Sequence, residues 1–293
     1  MTTVEVRRGT GRADAAAPRP GAFDPTAFGL GVVVPVLGAH SQSGASGIAL
    51  ALADATAAAG LRVLLLDCAD PARSGLAGVC GVEGRSVPGT HGRAGVRPAT
   101  RALKRGTVAV RRIAATDAPL AVQQVPLPAA WIGADDNRFD VTIVDVGWEV
   151  WSLLATGARP APLLWCTGSS TFPVLVLRPS AGSVALAEGT VARYEDAIAT
   201  IGLVPLYAAV VVGAPAWPPA IVPAIGRRLA QHRRRTLFVE STDEAAVAGW
   251  NTRQAPPASM RAAASLLRAV TGARPTTTSA EPPRRRAAWL RRG

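Results

Sequence analysis

Two runs, "VVVPVLG" at 32–38 and "LRVLLLD" at 61–67, are apolar almost throughout instead of alternating with polar residues. Such runs suit strands of a parallel sheet covered on both faces. Between them lie a loop of small residues, then an alanine-rich stretch over 45–59 that reads as a helix. Gly60 sits where a helix stop belongs. A strand, helix and strand in this order commit the chain to an α/β architecture.

The same alternation continues. Strand candidates fall at 31–37, 62–67, 107–113, 140–145, 173–178, 207–212 and 236–240, and helix candidates at 45–59, 182–200, 219–231 and 257–271. They predict a doubly wound, mainly parallel sheet of about seven strands with helices on both faces, and the loop at 38–46 at its carboxyl edge. Residues 1–28 are polar and aperiodic and read as a disordered arm. Residues 29–271 form the α/β domain, with a Gly- and Arg-rich loop insertion, holding at most one short helix, within about 83–112. Residues 272–293 read as a basic disordered tail. The stretch 207–226 is long enough to span a bilayer, but its four prolines point to a buried strand followed by a proline-rich loop.

The net charge of +12 is concentrated. Residues 83–112 carry eight basic side chains against Glu83, residues 272–293 carry six arginines against Glu281, and the remainder is neutral overall. Both segments, and "RRRAAWLRRG" at 284–293 in particular, fit an anionic partner, either DNA or a membrane, or else simply solvated arginines. The three cysteines lack CxxC spacing and the three histidines are scattered, which excludes a disulfide framework or a zinc centre and fits a reducing cytoplasm. The first residues lack the apolar core of a secretory signal.

The loop "GAHSQSGAS" at 38–46 has the makings of a phosphate cradle. Small residues let the backbone approach an anion, and the following helix offers free N–H groups and its dipole. In the pattern G-x-x-x-x-G-K-[ST], a lysine adds mobile positive charge and a hydroxyl ligates Mg2+. Gly44 and Ser46 match the second glycine and the hydroxyl, whereas Ala45 replaces the lysine.

From Ala45 through Gly60 to Asp67 the chain resembles, without a gap, the start of the ParA/MinD family of ATPases. The resemblance continues through "RFDVTIVDVGWEV" at 138–150, "VLVLRPSAGSVALAE" at 174–188 and "RTLFVESTDEAAVAGW" at 235–250. The lysine-free loop is similar to that of the TadZ/CpaE-like pilus-positioning and septum-site-determining branch. His40 stands where that branch has arginine and the wider family its signature lysine, while Ser41 and Gln42 replace two glycines.

The resemblance implies a P-loop NTPase-type fold that takes ATP or ADP with Mg2+ on Gly38, His40, Ser43, Gly44, Ala45, Ser46 and Gly47. Ser46 and, through water, Asp145 are implied to hold the metal. In "DCADP" one residue more than usual separates the acids, and Asp70, before the proline, is the better match to the aspartate that positions attacking water. Gly213 stands where the family often has an adenine-reading asparagine. With Ala45 and His40 in the two lysine positions, hydrolysis is expected to be slow or absent. Two functions remain open at this point. One is a nucleotide-responsive positioning or partition protein acting as a homodimer or with a protein partner, in the cytoplasm or peripherally at membrane or nucleoid. The other is a scaffold of the same fold that binds no nucleotide.

Overall fold

The computed structural model describes residues 23–80, 82–114, 118–133, 138–156, 159–240 and 254–272. Most of the expected arm (1–22) and the tail from 273 onward, with its Arg-rich 284–293, lie outside the described residues.

The strands are β1 (Val32–Gly38), β2 (Val63–Asp67), β3 (Val82–Glu83), β4 (Val96–Ala102), β5 (Thr107–Ile113), β6 (Val141–Asp145), β7 (Val174–Leu177), β8 (Ala208–Val212) and β9 (Thr236–Val239). The α-helices are α1 (Ala45–Ala58), α2 (Val150–Leu154), α3 (Ala161–Leu164), α4 (Ala181–Ile201), α5 (Arg227–Gln231) and α6 (Pro257–Thr271). The strands form one sheet in the order β3-β4-β5-β2-β6-β1-β7-β8-β9. Every neighbour from β5 to β9 is parallel, whereas β3–β4 and β4–β5 are antiparallel.

Strand side chains alternate between two cores. Val33 and Leu37 of β1 join Val184, Val191 and Tyr194 of α4 on one face. Val34 and Val36 join Leu50 of α1 and Leu266 and Val270 of α6 on the other. Helix α1 is buried continuously from Gly47 to Ala57. Its alanines are small enough to let α6 pack beside it on the sheet, so a helix without a polar face suits this place.

All seven candidate strands form, their bounds shifted by at most one residue. The stretch 207–226 divides into β8 and a proline-rich segment with a single 3-10 turn at Val222–Ala224. Two expectations are corrected. The basic insertion is not all loop: beside the expected strand at 107–113, β3 and β4 extend the sheet as an antiparallel edge. The helix expected over 219–231 is reduced to that 3-10 turn and α5, because Pro219 and Pro223 remove backbone donors and fix φ.

One arginine anchors the extension. Arg101 of β4 is 1% exposed and meets Asp54 of α1 through two hydrogen bonds, Nε to Oδ1 at 2.8 Å and Nη2 to Oδ2 at 3.0 Å. Its Nη1 also donates to the Val79 carbonyl, and Asp54 Oδ2 accepts from the Ala255 N–H at 2.8 Å. Removing one partner of a buried pair strands the other charge, so Arg101→Ala is expected to cost about 3–5 kcal/mol in urea unfolding. The double replacement Asp54→Leu, Arg101→Met should lose less than the sum of the two single changes, because neither charge is left alone.

Candidate phosphate-loop site

The loop after β1 turns into α1 at Gly44, whose φ of +98° lies in the left-handed region that favours glycine. The first bond of the helix runs from the Ile48 N–H to the Gly44 carbonyl. The N–H groups of Ala45, Ser46 and Gly47 therefore precede the intrahelical ladder, at the positive end of the dipole. Gln42 also sits at a φ of +64°, although it has a side chain. Ser43 is buried, and its N–H donates to the His40 carbonyl at 3.2 Å.

These groups border a cavity of about 680 Å3 at the carboxyl edge of the sheet, a volume usual for small-molecule sites. Gly38, His40, Ser43, Gly44, Ala45, Ser46, Gly47 and Asp145 all line it. Val212, Val239 and Pro256 also line it, with Glu240 and Ser259 as polar neighbours. The structure thus brings together every expected loop residue and the expected metal-side aspartate.

Asp145, at the end of β6, is fully buried, and neither carboxylate oxygen has a hydrogen-bond partner. Burial, reinforced by the charge of Asp67, pushes its carboxyl up to about 7. The Ser46 hydroxyl and the Gly147 N–H are near enough to favour the ionised form, without an ordinary hydrogen bond. Gly75 backs Ser46 so closely that a Cβ added there would lie 2.8 Å from the Ser46 side chain. A buried carboxylate with both oxygens open beside a hydroxyl suits a hard cation such as Mg2+, which needs few protein ligands. Among the described residues there is no cluster of three metal-ligating side chains.

Asp67 pairs in register with Asp145 but is well served. Its Oδ1 accepts from the Ala69 N–H, and its Oδ2 accepts from the Ser74 hydroxyl at 2.6 Å and from Arg112 Nε at 3.3 Å. Asp70 is not among the residues lining the cavity. Its carboxylate accepts from the Ala72 N–H at 3.0 Å and the Leu120 N–H at 3.1 Å, tying the turn after β2 to the segment before β6.

His40 is held too. Its Nδ1 donates to the Ser41 carbonyl at 2.6 Å, and its Nε2 lies 2.7 Å from the Ser183 hydroxyl on α4. Beside Asp145, the charges that reach the cavity come from residues that sequence reasoning passed over: Arg178 after β7, Arg73 after β2, Glu149 after β6 and Glu240 after β9. Arg178 leans over the loop, with Nε 3.4 Å from the Gln42 carbonyl and Nη1 3.5 Å from that of Val212. Their signal was positional, since each lies beyond the carboxyl end of a strand, where α/β sheets place ligands.

No protein-family model and no curated protein sequence matches the chain. Solved structures do. The cell division ATPase MinD of Pyrococcus furiosus aligns over 82% of this chain and 100% of its own, at 14% identity and a TM-score of 0.55. The chain has the ParA/MinD P-loop ATPase fold. The septum site-determining protein MinD of Pyrococcus horikoshii OT3, solved with Mg-ADP, aligns over 82% and 96% at 12% identity and a TM-score of 0.52. A protein described as a plasmid partition protein of Borrelia burgdorferi B31, bound to AMPPNP, aligns over 83% and 100% at 8% identity and a TM-score of 0.51. The antiparallel edge β3–β4 continues the sheet beyond β5. No described helix is long and apolar enough to cross a membrane.

The state of Asp145 gives a prediction about the protein free of metal. Unfolded, its carboxyl titrates near about 3.9; folded, it holds its proton to about 7. The native chain binds the extra proton, so this residue's contribution to stability falls as pH rises from about 4 to about 7. Asp145→Asn should raise stability at pH 8 by about 1–3 kcal/mol, measured by thermal unfolding in chelator. It should also flatten the decline between those pH values. An asparagine variant no more stable than the wild type at pH 8 would contradict this account of the carboxylate.

Proposed function

We propose that the chain is a nucleotide-responsive positioning or partition protein that binds ADP or ATP with Mg2+ at residues 38–47 and hydrolyses it slowly or not at all. The observation that carries this reading is the unpartnered, buried carboxylate of Asp145 facing a helix N-terminus across Ser46. A scaffold with no ligand gains nothing from so costly a group. Ser46 and Asp145, the latter directly or through water, would hold Mg2+, which neutralises phosphate charge when bound. The N–H groups of Ala45, Ser46 and Gly47 receive phosphate oxygens. The apolar walls formed by Val212, Val239 and Pro256 offer faces for a base, which orients the nucleoside toward β8 and β9 and the phosphates toward β6.

Slow turnover is the consequence of three positions. Ala45 carries no charge, His40 is occupied by Ser41 and Ser183, and the carboxylate of Asp70 is engaged by two backbone N–H groups outside the cavity. Phosphoryl transfer depends on placed charge and placed water, and these residues supply neither. Arg178 offers one cation, which serves binding. The scaffold reading retains one supporting observation: Glu149 already satisfies the Ser41 N–H. The basic edge strands and the tail remain the proposed contacts for DNA or an anionic membrane.

Calorimetric titration with ADP and ATP, with and without Mg2+, tests the proposal. Binding should be Mg2+-dependent, and Ser46→Ala should abolish most of that dependence. Arg178→Ala should weaken nucleotide about tenfold or more, the loss expected for one charge-assisted contact. Brisk multiple turnover by the wild type would refute the account of the missing lysine. Absence of binding at millimolar nucleotide would leave the scaffold.

A further inference from the structure

The loop already holds an anion of the protein's own. Glu149 stands just before α2, and its Oε1 accepts from the Ser41 N–H at 3.3 Å and from the Ser41 hydroxyl at 2.9 Å. Its Oε2 accepts from Trp151 Nε1 at 2.6 Å. Partial burial works against the charge, but these donors and the nearby Arg73 outweigh it and hold the carboxyl below its ordinary range. Glu149 is therefore a carboxylate at neutral pH, fixed on the strand side of the cradle.

Its position is set by sheet order. β1 lies between β6 and β7, so the segments leaving those two strands flank the loop that leaves β1. The segment leaving β6 carries Glu149; the one leaving β7 carries Arg178. Among the described residues no side chain fills the helix-side N–H groups of Ala45, Ser46 and Gly47, while the strand-side donors of Ser41 are filled. On the nucleotide reading above, with the base toward β8 and β9, a lengthening chain of phosphates would grow toward β6. Arg178 leans on Gln42 and Val212, on the opposite flank from Glu149.

We infer that Glu149 takes the place on the loop that a third phosphate would occupy, so that the site accepts a nucleoside diphosphate and discriminates against a triphosphate. The inference rests on the nucleotide reading above and assigns Glu149 as its specificity-determining residue. Two phosphates fit on the helix-side donors with Ser46 beside them. A third must either approach a like charge in a site partly withdrawn from water or displace Glu149 from its three donors. Either route costs the triphosphate affinity that the diphosphate keeps. A bound diphosphate and Glu149 together would fill both halves of the cradle.

The test is calorimetry on the full chain in Mg2+, comparing ADP with a non-hydrolysable ATP analogue for the wild type and for Glu149→Gln, which keeps the shape and removes the charge. The wild type should bind ADP at least about tenfold more tightly, and Glu149→Gln should cut that ratio about tenfold while moving ADP affinity little. A measurement independent of any variant is displacement of bound ADP from the wild type by inorganic pyrophosphate and by tripolyphosphate, in which pyrophosphate should be the stronger competitor. Preference of the wild type for the triphosphate, or a ratio unchanged in Glu149→Gln while both nucleotides bind, overturns this inference alone, and would mean that Arg73 offsets the carboxylate. Failure of wild type and variant to bind either nucleotide overturns the nucleotide reading and this inference with it.

Discussion

Asp54 sits in the middle of α1, surrounded by alanines and without contact with water, and its carboxylate draws three separated parts of the chain together. Arg101 reaches it from β4, the Ala255 N–H from the segment entering α6, and its own helix carries the phosphate loop at one end. The sheet alone does not join these parts, since β4 lies three strands from β6 on the far side of β5 and β2. A charge buried this deeply must be paired, and Arg101 is the group that pairs it. The edge hairpin is therefore part of the domain's core. Arg97 and Arg112, on the same hairpin, share Glu83, and Arg112 continues to Asp67 beside the site. Much of the positive charge expected to await a partner is already engaged inside the fold.

Two aspartates in register, Asp67 and Asp145, show how the site is made. Both end central strands, and both are buried. Arg112, Ser74 and the Ala69 N–H converge on Asp67, so its charge has partners in the folded chain. Asp145 has only the Ser46 hydroxyl and the Gly147 N–H nearby, neither at ordinary hydrogen-bond geometry, and no cation among the described residues pairs with it. The difference comes from neighbours: β5 lies beside β2 and delivers Arg112, whereas β6 is flanked by β2 and β1. One carboxylate completes the structure, and the other is left for a proton or a cation.

The sheet was legible because its central strands are buried on both faces, and that requirement writes a continuous apolar run into the sequence. The edge was not. In "VRPATRA" at 96–102, arginines and a proline mask the alternation, and the decisive fact, that Arg101 points inward, depends on an aspartate far away in the chain. The loop and Asp145 could be located from local pattern. The orientation of Asp70 could not, because Leu120, one of its donors, belongs to a segment with no periodic signal. Glu149 and Arg178 lay inside stretches already marked as strand ends, but whether such a side chain turns onto the loop or away from it is a tertiary matter. The proline-rich 219–231 failed as a helix for the reverse reason: apolar spacing was present, but the missing backbone donors decided.

A loop with alanine at position 45 has no side-chain cation there and offers its backbone N–H groups alone. The backbone here is held at a cost. Gln42 holds a left-handed φ that disfavours any residue with a Cβ, a strain of about 1–3 kcal/mol that the surroundings must impose. The Ser43 N–H closes on the His40 carbonyl, and Gly44 starts the helix in a left-handed conformation. Binding by N–H groups and dipole depends on the path of the main chain, whereas fast phosphoryl transfer depends on side-chain charge. The two properties separate in this loop because they reside in different parts of the residue.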